Sequence, residues 1–419
     1  AALNTVNTAT TVNVTATAVT AISGTASQLN TTYATGGITG LGDEAVNLSE
    51  TITVAQFNTL AAKTSGIITA TISDNDMATL DGITESGHAL TISLTDASAT
   101  ASNLNVLNAK TLVSVGVTST RVIGAFADVN DAFDANIAGT ISGLGNEAIT
   151  LSETITVAQF NILAAKTSGI ITATISDNDM ATLDGITESG HALSISVTDA
   201  VVVAADLNAL DARTTLPVAV SSATIAGSAN DINTIYAAGS AGTIIGLNDE
   251  TLIITDINIQ ASALNTLDAN TTGVVNAAAV TTLTGTFTEI HNVYISNTSS
   301  TTVGLGNENV IVTEILTVAQ ANTINALTTG VISATLSTTA ITNLNDLTGT
   351  GNAYTIAIAD TSVAAANLNT LNTKTTVIVN AAAVTALTGS FADINTVYSA
   401  NTAGQISGLG NETITVSET

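Results

Sequence analysis

Apolar and polar residues alternate along this chain in two rhythms that keep changing places. Stretches such as Leu90-Thr-Ile-Ser-Leu94 and Thr376-Val-Ile-Val379 have the period-two pattern of a short strand with one buried face. Between them lie segments such as Ala101-Ser-Asn-Leu-Asn-Val-Leu-Asn-Ala-Lys110. There Leu104 and Leu107 share one face at i, i+3, which predicts a short helix. Asp96 and Ser98 precede it, where an N-cap is expected. A strand and a short helix cannot bury an apolar face alone, so the pattern calls for neighbours of the same kind.

The sequence supplies those neighbours. Leu48 to Asp96 recurs almost letter for letter at Leu151 to Asp199, 103 residues on. A Gly-Leu-Gly-(Asn/Asp)-Glu tag at Gly40 and Gly143 returns at Gly246, degenerate, and at Gly304 and Gly408, with one interval shortened to 58 residues. Inside this long period runs a shorter one, an apolar residue followed by Asn. It occurs sixteen times, thirteen of them with Asn and three with Asp81, Asp184 or His291 in its place, from Asn4, Asn30 and Asn58 through Asn325 to Asn369 and Asn395, about 26 residues apart on average. Self-similarity at such periods marks a repeat architecture.

The predicted fold is an α/β solenoid with a parallel sheet on one side and short helices on the other. Strand–helix–strand crossovers make it right-handed, and the recurring Asn is expected to form a ladder bonded to turn backbone or to itself. The alternative is an all-β solenoid in which the helical segments are only turns. Residues 1–419 read as one continuous array of about 16 coils, spanning roughly 75–80 Å at the spacing of paired strands. The array begins and stops in mid-coil, which suggests either an excerpt of a longer array or end-to-end polymerisation.

Composition narrows the function. There are 33 acidic residues against 6 basic ones, a net charge of −27, yet only 9% of residues are charged. So few cations leave nothing to neutralise phosphates, which excludes nucleic acid as a partner. With no Cys there is no disulfide, thiolate metal site or cysteine nucleophile. No apolar run reaches the length of a membrane span. Aromatics make up 3% of the chain and Trp is absent, so the core must be built from small and β-branched side chains, which suit regular stacking. Five of the six cations, Lys63, Lys110, Lys166, Arg213 and Lys374, fall where a predicted helix ends and face the negative end of its dipole.

Candidate chemistry is sparse. Ser86, His88 and Asp81, with copies Ser189, His191 and Asp184, stand close in sequence, but a triad needs convergence in a pocket; they read as a turn. Gly37-Ile-Thr-Gly40-Leu-Gly42 lacks the Lys-Ser/Thr of a phosphate loop. His291 stands where Asn is usual and reads as a structural substitute. Sequons such as Asn13, Asn30 and Asn270 are expected by chance in a chain so rich in Asn and Thr. Calcium is the one ligand with a candidate site. Asp74 with Asp76, and Asp177 with Asp179, place carboxylates close together, with Asp81 and Asp184 nearby. Glu44, Glu147, Glu250, Glu308 and Glu412 recur in the glycine tag, and Glu50, Glu153 and Glu418 in the Ser-Glu-Thr that follows. Ca²⁺ takes six to eight oxygens; the competing reading makes these carboxylates helix caps and a solvated surface.

Leu-Asn-Thr-Leu-Asn (368–372), Val-Asn-Ala-Ala-Ala-Val-Thr (275–281), Leu-Thr-Gly-Ser-Phe-Ala-Asp-Ile-Asn (387–395) and Ile-Ser-Gly-Leu-Gly-Asn-Glu (141–147) resemble repeat arrays of giant secreted surface proteins of cyanobacteria and other marine bacteria. The resemblance covers essentially the whole chain. It implies a non-enzymatic structural protein, part of an extracellular filament, sheath or cell-surface layer whose partner is more of itself. The alternative is a cell-surface adhesin, or an array binding glycans or ice through a Thr-rich face. The calcium-binding nonapeptides that often accompany such arrays do not occur here, so calcium dependence is not carried over. A polysaccharide lyase would need carboxylates clustered with Arg or Lys, and Arg121 is isolated.

Overall fold

The computed structural model describes residues 1–417. The chain is α/β, with every paired strand parallel and sixteen helices among the described residues. It divides into two compact units, one comprising Ala1–Ser196 with Ala212–Val218, the other Val197–Asp211 with Ala219 onward.

In the first unit, strands Ala21–Gly24, Ala45–Ile52, Ile68–Ile72 and Ala89–Thr91 lie side by side in that order. Their register stacks like on like: Ile22 opposite Val46, and Val46 opposite Ile68. A second sheet repeats this, with Ala99, Val122, Ile149 and Ile171 in one row. All of these row residues are buried. The second unit has its own rows, Val202–Ile225–Leu252–Val275 and Ile259–Leu283–Val310–Ile332. Parallel neighbours require a crossover, and a helix follows directly on many strands, as Val54–Ala61 follows Ala45–Ile52. Apart from Ala2–Ala9, which buries no residue, the helices turn a short apolar face inward: Phe57 and Leu60 in Val54–Ala61, Leu104 and Leu107 in Ala101–Lys110.

The predicted helix over 101–110 is found whole as Ala101–Lys110, which sets aside the all-β alternative. Other expectations need correction. Its N-cap residue is Thr100, which makes no side-chain cap bond; Asp96 reaches back instead to the nitrogen of Met77, 2.6 Å away, and Ser98 begins the strand Ser98–Thr100. Of the strand predicted over 376–379 only Val379 lies in a strand, the two-residue Val379–Asn380. There the Thr375 hydroxyl accepts from the nitrogen of Val377 at 3.1 Å, a local side-chain bond that competes with a strand ladder. Of the five cations, Lys110 alone lies inside its helix, and the other four follow the helix end by two residues.

Several helices start with a device the apolar pattern does not reveal. Thr25, Thr53, Thr156, Thr286 and Thr317 each accept from the backbone three residues on, while the Gln or Glu there bonds back to the Thr nitrogen. This reciprocal capping box satisfies two backbone donors that a helix leaves open. Among the described residues no helix is long and apolar enough to cross a membrane.

Candidate functional site

The candidate calcium carboxylates are occupied by backbone N–H donors. Asp76 and Asp179 cap their own short helices, Met77–Leu80 and Met180–Leu183, each accepting from the Thr at the third helical position at 2.9 Å. The bond from the Thr79 nitrogen leads in holding the Asp76 carboxyl below its ordinary range. Asp74 and Asp177 turn the other way. Each accepts at 2.7 Å from the first nitrogen of the helix twenty residues earlier, Val54 and Val157. The structure thus separates the roles of each pair, and among the described residues no three His, Asp or Glu side chains gather where a metal ion would sit.

Asp74 and Asp177 belong to a larger set. Glu50 accepts from Ala26, Asp96 from Met77, Glu153 from Phe126, Asp256 from Ala229, Glu314 from Phe287 and Asp360 from Ile341, all at 2.6–2.9 Å. In every case the donor is the first nitrogen of a helix, 19 to 27 residues earlier. A carboxylate there satisfies an open donor and faces the positive end of the helix dipole. Glu418 lies outside the described residues.

The glutamates of the glycine tag are different. Glu44, Glu147, Glu250 and Glu308 are 1–3% exposed, and each folds back onto its own loop. Glu44 accepts from Gly42, Glu147 from Gly145 and Asn146, Glu250 from Asn248, and Glu308 from Gly306 and Asn307. The phenols of Tyr33, Tyr236, Tyr294 and Tyr398 donate to Glu44, Glu250, Glu308 and Glu412. Phe133 stands where the tag of Glu147 would find its Tyr, fourteen residues earlier as for Tyr236 and Glu250. Burial, joined by the neighbouring carboxylate, pushes Tyr33 and Tyr294 well above the usual phenol range.

The next repeat locks onto this tag through a Thr-(Ser/Thr)-Gly motif. Thr64, Thr167, Thr271 and Thr328 donate to the carbonyls of Glu44, Glu147, Glu250 and Glu308 at 2.7–3.1 Å. The following glycine is obligatory, because a Cβ on Gly66 would lie 2.1 Å from the Glu44 oxygen, and one on Gly169 2.0 Å from that of Glu147. The tag's first glycine is equally constrained: Gly143 has φ +97° and a Cβ there would meet the Val117 oxygen at 2.1 Å. Periodicity located the tag, but its partner escaped notice although it follows at a nearly fixed spacing.

The asparagines form no continuous ladder. Asn4, Asn58, Asn105, Asn161, Asn208, Asn265, Asn322 and Asn369 each donate from Nδ2 to a backbone oxygen 23 or 24 residues on, at 2.7–3.0 Å. Asn322 takes the place expected of Asn325. Among the described residues these bonds come from alternate helices only. In the intervening helices the Oδ1 atoms of Asn30 and Asn233, and that of Asn345 at the C-cap of Ile341–Leu344, are buried without a hydrogen-bond partner, and His291 stacks on Phe287 at 5.5 Å.

Ser86, His88 and Asp81 do not converge. Ser86 is exposed and Asp81 is the C-cap of Met77–Leu80. His88 is buried, its Nδ1 accepting from the nitrogen of Ile68 at 3.1 Å and its ring edge-on to Phe57. His191 repeats this with Ile171 and Phe160, and Asn352 does the same for Ile332 through Oδ1 at 2.9 Å. Burial lowers the pKa of both imidazoles, against the opposing pull of Glu85 and Glu188. They are neutral acceptors inside the stack. Against family models, curated proteins and solved structures alike, the chain gives no match.

Proposed function

We propose that this chain is a structural repeat segment, each unit a right-handed α/β solenoid of about 26 residues per coil, serving in a long extracellular filament, sheath or surface layer. The observation that carries this reading is the recurrence of the same three bonds between successive repeats: carboxylate onto helix nitrogen, Asn onto the next turn, Thr onto the buried Glu carbonyl. Such nearest-neighbour bonding propagates along a stack of any length, which is what a filament requires. The partner is further copies of the same repeat. The excess negative charge keeps such a surface soluble and limits sideways association at low salt. Negative-stain microscopy of native material tests the reading: long fibres of uniform width are expected, and discrete short rods holding a ligand would sink it.

A second reading, an adhesin or glycan-binding array, is favoured by one observation. Thr51, Thr71 and Thr91 stand in register on adjacent strands, as do Thr154, Thr174 and Ser194. The first row lines an open trough with Leu48, Glu50 and Thr69. Glycan-array binding lost on replacing these threonines with Val would move the assignment to that class.

A further inference from the structure

We infer that Lys166 and Asn130 are set to form an intramolecular isopeptide bond, with Asp134 as proton relay, locking two successive repeats of the first unit covalently. Lys166 Nζ lies 2.7 Å from Asn130 Oδ1 and 2.5 Å from Asp134 Oδ1. The Asn130 amide nitrogen donates in turn to the other Asp134 oxygen at 2.9 Å. Nucleophile, electrophile and acid–base group thus close one ring of hydrogen bonds. The Lys166 side chain is only 15% exposed, and this is the single ion pair among the described residues.

The same lysine in the preceding copy provides the contrast. Lys63 sits in the identical Leu-Ala-Ala-Lys-Thr-Ser-Gly. The helix before it carries Asn30, but four residues on, where Asp134 follows Asn130, it has Ala34. There Asn30 Oδ1 is buried without a hydrogen-bond partner. Only the second copy assembles all three groups.

The step balances without a co-reactant. The lysine ammonium releases one proton to solvent, and the amine attacks Cγ of Asn130. Asp134, a carboxylate that accepts from both Nζ and Nδ2, takes the second proton from Nζ and, once the tetrahedral adduct has formed, passes that same proton to Nδ2. The Nζ–Cγ bond forms, the Cγ–Nδ2 bond breaks, and ammonia leaves. Holding the groups in contact replaces a bimolecular encounter, which accounts for reaction without an enzyme. The bond would form whether or not the chain belongs to a filament, so its failure and that of the proposed function are separable.

Mass spectrometry of the purified full chain, aged at mildly alkaline pH, tests the inference. The intact mass is expected to fall by one ammonia, with a branched peptide joining Asn130 to Lys166 and none joining Asn30 to Lys63. Asp134→Ala should abolish the branched peptide while leaving the circular dichroism spectrum unchanged. Free Asn130 and Lys166 peptides from the wild-type chain would overturn the proposal, and so would ammonia loss with the peptides unlinked, which marks a succinimide.

Discussion

The Asp74 carboxylate lies 2.7 Å from the backbone nitrogen of Val54, the first residue of a helix twenty positions earlier in the chain. Thr53 already caps that helix from within, through the nitrogen of Gln56. One helix start therefore draws on two acceptors, one local and one from the next repeat. The local acceptor fixes the helix, and the distant one fixes the helix to its neighbour.

Replacing Asp74 with Ala removes the distant acceptor only. The expected loss is about 1 kcal/mol, the usual worth of an N-terminal cap, read as a lower urea midpoint. Asp177→Ala should cost the same, because Asp177 meets Val157 at the same 2.7 Å. Adding calcium or a chelator should leave the midpoint of the wild-type chain where it was, since these oxygens already have donors. A chelator-induced drop would restore the metal reading.

Alternation among the asparagines gives a sharper contrast. Asn58 donates to the Gly82 oxygen at 2.7 Å and accepts from the Thr84 nitrogen at 3.2 Å, so Asn58→Ala deprives two backbone groups of partners. A loss of about 0.5–1.5 kcal/mol is expected, because both bonds are exposed and the freed backbone groups recover water. Asn30 makes no comparable bond and buries an unpartnered Oδ1, so Asn30→Ala should be close to neutral. Equal losses for the two substitutions, measured by denaturant titration, would mean that the ladder is continuous after all.

This difference marks where sequence reasoning reached its limit. The helix at Ala101–Lys110 was legible because Leu104 and Leu107 act within one element. The tag at Gly143 was legible because its spacing repeats. Asn58 and Asn30 look alike in sequence, however, and what separates them is whether a backbone oxygen of the following repeat comes within reach. Asp96 misled for the same reason: its nearest helix in sequence is the one after it, but its partner is Met77 in the repeat before. Local pattern identifies elements, whereas a bond across twenty residues depends on how those elements stack.

Acid should weaken the first unit through its imidazoles. The pKa values of His88 and His191 are lowered from 6.5 in the folded chain, so folding favours the neutral rings that accept from Ile68 and Ile171. Unfolded chains bind a proton near 6.5 that folded ones resist, so this stability is complete above that pH and declines as pH falls below it. The decline levels off once the folded rings are themselves protonated. Asn352 already performs the same task for Ile332, so the double variant His88→Asn, His191→Asn should keep the acceptors and lose the pH dependence. Melting temperatures between neutral and mildly acid pH compare the two, and parallel curves would show that the imidazoles do not titrate with unfolding.

Tyr354 is the corresponding test at alkaline pH. It is fully buried on the strand Ala353–Thr355, opposite Ala334, where earlier repeats carry Leu90 and Leu193 opposite Ala70 and Ala173. Its hydroxyl has no hydrogen-bond partner, and burial pushes its pKa up from 10.0 to about 12. A raised pKa means that its contribution is complete below 10 and is lost as pH climbs through the folded value, because only the unfolded phenol ionises freely in that window. Tyr354→Phe keeps the ring and removes both the unpartnered oxygen and the titration. It should match or exceed the wild-type stability at neutral pH, by up to about 1 kcal/mol, since an unsatisfied buried polar group carries a desolvation cost. It should also flatten part of the decline above pH 10, the remainder coming from Tyr33, Tyr236, Tyr294 and Tyr398, whose phenols are likewise raised in the folded chain. A clear loss of stability in Tyr354→Phe at neutral pH would mean that the hydroxyl has a partner on which the second unit depends.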